Sequence, residues 1–481
     1  MCLFSIALLL LFMQQSSTDR IITELERWIS GAAAGAQLPS GRELATRFGA
    51  GPVTVQRAMH TLAERGLIES RPGVGTFVRR IRAQTPADYS WQTAALAPGQ
   101  ASTTALPHAQ RSVAPGTIEL HSGYPVQELL PAGLVRAAAA RAARTPDALT
   151  RAPAAGLPAL QAWFAAELGT DPESGTVHAA REVSIVPGSQ SALSSVFRAL
   201  VGAGGALAIE SPSYWGALLA AHQVSVRLIP IASGPAGPDP EELARALHES
   251  GARAFYAQPS FANPQGGQWG AERGRVILDV LREHRAFLIE DDWARDFGIT
   301  PPTPPLARAD RDGRVVYIRS LTKSLSPAVR VGAVIARGPA RDRILADLVA
   351  ETMYVSPLLQ SIAHDVVTSS GWRTHLRALP ELLRHRRDAL LDALATHAPA
   401  VHVAAVPQGG LNVWAQLPAG TNAQRTVRDC EARGLAVAAG DAWFPAEPPA
   451  PHLRLNFAGP EPERYPDAAR ILGEVLTAQL G

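Results

Sequence analysis

The sequence predicts two folded units in series. The first is a small helix–helix–turn–helix unit closed by a hairpin. Behind it stands a large α/β domain on a mainly parallel sheet, with a smaller α+β part at its C-terminal end. Three observations carry this. Helical periodicity followed by a Gly-rich hairpin pattern fills residues 19–80. Residues 81–116 are rich in Ala, Pro, Thr and Gln without periodicity, as a linker is. From residue 117 to 481, short apolar runs alternate with helical stretches.

In the first unit, Ile21, Ile22, Leu25 and Ile29 recur at helical spacing, and Gly31 ends that helix. Ser40 and Glu43 form a capping-box pair for a short second helix that stops near Gly49. A third helix starts at Pro52 or Val53, presents Val55, Ala58, Met59 and Leu62 as its apolar face, and ends at Gly66. Leu67–Arg71 and Thr76–Val78 then read as two strands around Pro72-Gly73-Val74-Gly75. This order is that of a winged helix-turn-helix. Residues 19–80 hold nine Arg against six Asp and Glu, so the unit carries three net positive charges, the sign that double-stranded DNA attracts.

The whole chain of 481 residues carries a net charge of only +2, so any nucleic-acid surface must be local. Cys2 and Cys430 are the only cysteines, which excludes a disulfide framework and a cysteine metal site and suits a reducing compartment. Residues 1–18 begin as an almost wholly apolar extension, too short to span a bilayer and without the basic start of a signal peptide. A cytoplasmic protein without a membrane partner is therefore expected.

Among 45 basic residues there is one lysine, Lys323. Arginine replaces lysine in most ion pairs but cannot form a Schiff base, which needs a primary amine that deprotonates. Lys323 is thus either a covalent anchor or a chance survivor, and its surroundings favour the first.

Five apolar runs, at residues 183–186, 206–209, 254–256, 286–289 and 315–318, read as strands of one sheet. Ligands bind such sheets beyond the carboxyl ends of the strands. Past the first run, Gly188, Ser189 and Gln190 open a helix, a turn able to hold an anion. Past the second stands Tyr214, either a stacking ring or a core aromatic. Past the third, Asn263 lies in an ordinary Asn-Pro turn that only its position makes interesting. Past the fourth, Glu290, Asp291 and Asp292 precede Trp293. Carboxylates so crowded need a cationic partner, and a protonated pyridine nitrogen would serve; a surface cluster or metal site is the alternative, weakened because no His lies nearby. Past the fifth, Ser320, Thr322, Lys323 and Arg330 combine hydroxyls, an amine and a guanidinium. Amine, phosphate donors, stacking ring and carboxylate, on successive strands, are what pyridoxal 5'-phosphate (PLP) requires. No metal site is expected.

The segment Ser320-x-x-Lys323-x-x-x-x-x-x-Arg330-x-Gly332 resembles fold-type I aminotransferases of class I/II, and the resemblance covers nearly all of the second domain. It implies that Lys323 forms a Schiff base with PLP, Asp291 holds the pyridinium nitrogen, Asn263 approaches the ring hydroxyl and Tyr214 stacks on the ring. It implies Ser189, Gln190, Ser320, Thr322 and Arg330 as phosphate ligands, and Arg454, in His452-Leu453-Arg454-Leu455-Asn456, as partner of a substrate carboxylate. The chain departs from that pattern in having Trp293 where the family has Tyr, and in lacking a Tyr within residues 151–156.

The first unit resembles GntR-family regulators through Leu38-Pro39-Ser40-Gly41-Arg42-Glu43-Leu44-Ala45 and Gly66–Val78, and the fusion resembles MocR-type regulators. The resemblance implies Arg42, Thr54, Gln56 and Gly73 as DNA contacts, although Pro52 stands where the recognition helix often has Arg. The function so implied is PLP-dependent regulation of transcription at a double-stranded operator, with a small amino compound or PLP as effector and a head-to-tail homodimer as the assembly. An active aminotransferase carrying a DNA-binding module is the alternative, against which Trp293 stands because an indole donates but does not accept a hydrogen bond as a phenol does.

Overall fold

A computed structural model describes residues 16–32, 35–79, 111–170, 175, 177–459 and 461–480. The apolar run before residue 16 and the expected linker over 81–110 lie outside the described residues. Two compact units divide the chain within that last stretch, between positions 99 and 100.

The first unit contains helices α1 (Ser17–Gly31), α2 (Gly41–Phe48) and α3 (Pro52–Glu64) and the antiparallel strands β1 (Ile68–Arg71) and β2 (Gly75–Val78). Helix α1 begins two residues before the expected Asp19, because the Ser16 side chain accepts from the Asp19 backbone N–H and caps it. The capping box expected at α2 is present: Glu43 N–H donates to Ser40 Oγ, and Ser40 N–H donates to the Glu43 carboxylate at 2.7 Å. Pro52 is the first residue of α3, where its missing N–H costs nothing. Ile21, Leu25, Leu44, Val55, Ala58, Leu62, Ile68 and Val78 form the core, in which all three helices and both strands take part.

The second unit is built on an eight-stranded sheet. Its strands are β3 (Val183–Val186), β4 (Ala206–Ser211), β5 (Arg227–Gly234), β6 (Ala254–Ala257), β7 (Phe287–Asp292), β8 (Val315–Ser320) and β9 (Gly332–Ile335), with a short edge at Gly237–Pro238. The spatial order is β3-β9-β8-β7-β6-β4-β5-edge. Strands β5, β4, β6, β7 and β8 run parallel, while β9 is antiparallel to both β8 and β3. Every residue of β3, β6 and β9 is buried, as the unbroken apolar runs require of strands covered on both faces. Helix α4 (Ser189–Leu200) follows β3 and α5 (Trp215–Gln223) follows β4.

A three-stranded antiparallel sheet forms the smaller C-terminal part, from β10 (Asn412–Gln416), β11 (His452–Asn456) and the short Ala438–Ala439 strand. Its two faces differ. Val413, Ala415, Leu453 and Leu455 point into an apolar core, while Asn412, Trp414, Arg454 and Asn456 share the other face. Residues 111–116, the end of the expected linker, are among the described residues. Arg111 forms an ion pair with Glu431, and its carbonyl oxygen is hydrogen-bonded to His121 Nε2 at 3.0 Å, so residues 111–116 are tied to the second unit. No described helix is long and apolar enough to cross a membrane.

Candidate functional site

Because β3 and β8 run parallel to β4, β6 and β7, their carboxyl ends share one edge of the sheet. The turns after all five strands therefore meet. Lys323 sits in the turn after β8, with Nζ 4.1 Å from the centre of the Trp293 ring, 5.8 Å from that of Tyr214 and 6.0 Å from that of Tyr124. Three aromatic rings thus surround the amine of a side chain that is half-buried. Burial, helped by the positive charge of Arg454 and opposed by the negative charge of Asp291, brings its pKa down to about 7.

Asp291, at the end of β7, is 1% exposed. Its Oδ2 accepts from Tyr256 OH and from Gln258 Nε2, both at 2.8 Å. Its Oδ1 has no partner among the described residues. Burial pushes this carboxyl up to about 6, against the hydrogen bonds from Gln258 and Tyr256 and the charge of Lys323. A buried carboxylate oxygen without a donor is costly unless a ligand supplies one. Asn263 is also buried, with Oδ1 unpartnered, and its backbone N–H donates to Gln258 Oε1 at 2.8 Å. Gln258 thus ties the Asn263 turn to the Asp291 carboxylate.

The turn after β3 faces the turn after β8. Gly188 has φ +93°, and a Cβ there would stand 3.0 Å from Thr322 Oγ1 and 3.2 Å from Arg330 Nη2. The space a side chain would fill is thus bordered by a hydroxyl and a guanidinium, with Ser189 and Gln190 starting α4 beside it. Thr322 Oγ1 and Ser324 Oγ are buried without partners, and Ser320 Oγ accepts from Thr322 N–H at 3.2 Å. Arg330 adopts a left-handed φ of +47° and donates to Pro187 O at 3.2 Å, backbone strain accepted at a place that aims a cation. Gln190 Nε2 donates to Gly216 O at 2.7 Å, and Tyr214 OH stands 3.4 Å from Gln190 Oε1. Burial and the nearby Asp291 raise the Tyr214 phenol above its ordinary value, so it stays protonated.

Arg454 is 1% exposed, and the partners of its hydrogen bonds are neutral acceptors. It donates from Nη1 to Asn412 Oδ1 at 3.0 Å and from Nη2 to His121 O at 2.6 Å and Ser122 O at 2.9 Å, and its guanidinium lies 5.1 Å from the centre of the Trp443 ring. Burial lowers its pKa to about 10. A buried guanidinium held by neutral acceptors has charge left for an anionic ligand.

Trp293 stands beside the lysine. Its indole N–H donates to Phe261 O at 3.1 Å, so the single donor that could have replaced a phenol is occupied, and the ring turns its face toward Lys323 instead. Tyr124, Tyr256, Gln258, Asn412 and Trp443 complete the surroundings and were not singled out from sequence. Tyr256 and Gln258 carried a signal, since they flank the end of a strand already marked. Tyr124, Asn412 and Trp443 come from distant segments and carried none.

On the first unit, Arg42, Gln56 and Gly73 are exposed, and Thr54 is half-buried. Arg42 lies in the first turn of α2, Thr54 and Gln56 on α3, and Gly73, with φ +73°, at the tip of the β1–β2 hairpin.

Fold and site together define a winged helix-turn-helix joined to a fold-type I, aminotransferase-like domain. Residues 117–472 match the family model for class I and II aminotransferases, and residues 17–78 match that for bacterial regulatory proteins of the gntR family. The chain belongs to the class I and II aminotransferase family and, through its gntR unit, is a MocR-type regulator of the GntR family. It is 30% identical over 372 residues to a 2-aminoadipate transaminase of Thermus thermophilus, covering 76% of this chain and 91% of that one. It is 26% identical over 451 residues to the probable rhizopine catabolism regulatory protein MocR of Rhizobium meliloti, covering 92% and 90% of the two chains. The structure of LysN, an alpha-aminoadipate aminotransferase of Thermus thermophilus complexed with N-(5'-phosphopyridoxyl)-L-leucine, superposes with a TM-score of 0.70 at 29% identity, over 78% of this chain and 96% of LysN. The transaminase and LysN match about three quarters of this chain, while MocR spans nine tenths of it.

Proposed function

We propose that this chain is a transcription regulator that binds PLP through Lys323 and couples the state of that site, set by PLP or a small amino compound, to an operator in double-stranded DNA. The observation that carries the reading is the convergence on the sole lysine of unpartnered polar groups of the types PLP needs: Asp291 Oδ1, the Thr322 and Ser324 hydroxyls and the cradle at Gly188. When bound, PLP supplies an aldehyde that condenses with primary amines and a ring that withdraws electrons from them.

The residues of the chain divide the remaining work. Lys323, with a pKa near 7, offers a neutral amine at physiological pH. Asp291 accepts a proton-bearing ring nitrogen at Oδ1, and Tyr214 covers the ring. Ser189, Gln190, Ser320, Thr322 and Arg330 take the phosphate, and Asn263 and Trp293 line the ring's oxygen side. Arg454 takes a ligand carboxylate. Arg42, Thr54, Gln56 and Gly73 contact DNA, and a head-to-tail homodimer presents two such units.

Trp293 favours regulation over turnover. With its N–H held by Phe261 O, it has no donor left to hold a proton at the ring oxygen. A bound amino compound that engages Arg454 would then bias one conformation of the dimer over another by its differential affinity.

The test is the visible absorption spectrum of the purified protein beside Lys323→Ala. A yellow band in the wild type, absent from the variant, is the expected result. A wild type that stays colourless after PLP is added removes the cofactor from the account.

A further inference from the structure

Helix α3 presents one exposed stripe. Val53, Gln56, Arg57 and His60 follow one another at helical spacing and are all exposed, while Val55, Ala58 and Leu62 face the core of the unit. Val53 lies in the first turn and is 70% exposed, an apolar side chain left in water at the position where a recognition helix first meets base edges. Gln56 makes no hydrogen bond from its side chain among the described residues, and His60 is engaged with Glu64 at 3.2 Å. Arg57 is the only Arg or Lys on the helix, and Pro52 stands ahead of Val53.

We propose that α3 reads A·T pairs, with Val53 against a thymine methyl group and Gln56 hydrogen-bonded to an adenine in the same half-site. The inference rests on the DNA-binding reading above and adds the base identity to it. The chemistry of the groove selects the bases. The thymine methyl is the one methyl group on the edges of the four bases in the major groove, and it is the base feature that apolar side chains contact there. A free carboxamide pairs one donor and one acceptor, matching N7 and the N6 amine of adenine. Guanine is most often read by Arg or Lys, and the first turn of α3 has neither. Arg57, one position past Gln56, goes to the phosphates, where a flexible cation needs no base partner.

The experiment selects bound sequences from a random double-stranded library with the full-length protein. It repeats the selection with Val53→Ala and Gln56→Ala, which alter exposed positions and leave the core intact. The expected motif contains A·T pairs whose preference relaxes at one position in each variant. Deoxyuridine then replaces the thymine assigned to Val53, removing only the methyl group. Wild-type affinity should fall by about fivefold, the equivalent of ~1 kcal/mol, and Val53→Ala affinity should not change. G·C pairs at the positions that the variants relax, or equal deoxyuridine effects in both proteins, would overturn the assignment while leaving DNA binding in place. A protein that enriches no sequence overturns the DNA-binding reading and this assignment together.

Discussion

Lys323 illustrates how a single side chain is tuned by what surrounds it. Its pKa is lowered to about 7 from an ordinary value of 10.5, chiefly by burial. The neutral, nucleophilic form therefore grows as pH rises through 7. Capture of added PLP should accelerate through that range and level off above about pH 8, which stopped-flow absorbance reads directly. Linkage has the same origin. Between pH 7 and 10.5 the unfolded chain binds the proton that the folded chain has lost, so the ligand-free protein should gain stability with pH in that window. Lys323→Met should flatten that slope in denaturant melts. Gln258 makes a second prediction at this scale. Its amide holds Asp291 Oδ2 and the Asn263 backbone together. Because that hydrogen bond keeps the Asp291 pKa down, Gln258→Leu should raise it above about 6 and weaken cofactor binding most at low pH. Binding should recover as pH rises. A loss independent of pH would mean that Gln258 acts only on the fold.

At the scale of elements, the turn between β3 and α4 carries the sharpest test. Gly188→Ala places a Cβ against Thr322 and Arg330 at a left-handed φ. PLP affinity measured by fluorescence quenching should fall by on the order of tenfold, ~1.4 kcal/mol, with the circular dichroism spectrum unchanged. This scale also shows what the sequence made legible. The five strands that bear the site were visible because buried parallel strands are continuous apolar runs, and each starts within one residue of its expected position. Strand β9 was not. Gly332–Ile335 follows the Lys323 turn directly and inserts between β3 and β8, a pairing that only the sheet as a whole specifies. Strand β5 was hidden by Pro230 and by its polar residues, tolerable near the sheet edge. The same logic divides the site. Lys323, Asp291 and the Ser320 and Thr322 hydroxyls follow apolar runs and could be read in order. The acceptors that hold Arg454 come from residues 121, 122 and 412, which tertiary packing alone brings together. The occupied N–H of Trp293 depends on where the Phe261 carbonyl points, which no local pattern encodes.

At the scale of the whole molecule, the question is whether one unit informs the other. The gntR match and the aminotransferase match share one chain, and MocR of Rhizobium meliloti matches across both. Such a fusion regulates only if the ligand binds two states of the chain unequally; a ligand of equal affinity for both shifts nothing. The central claim is therefore a coupling free energy, and coupling is reciprocal. The decisive measurement is the affinity for a selected operator fragment, at fixed salt, of the PLP-free wild type, the PLP-loaded wild type and Lys323→Ala given the same PLP. The account predicts that loading shifts operator affinity by about 5-fold or more, as couplings of ~1–3 kcal/mol do, and that Lys323→Ala does not respond. Equal affinity in all three, both for PLP alone and across a panel of amino acids, would contradict it, leaving a DNA-binding unit and an aminotransferase-like domain that share a chain without exchanging information.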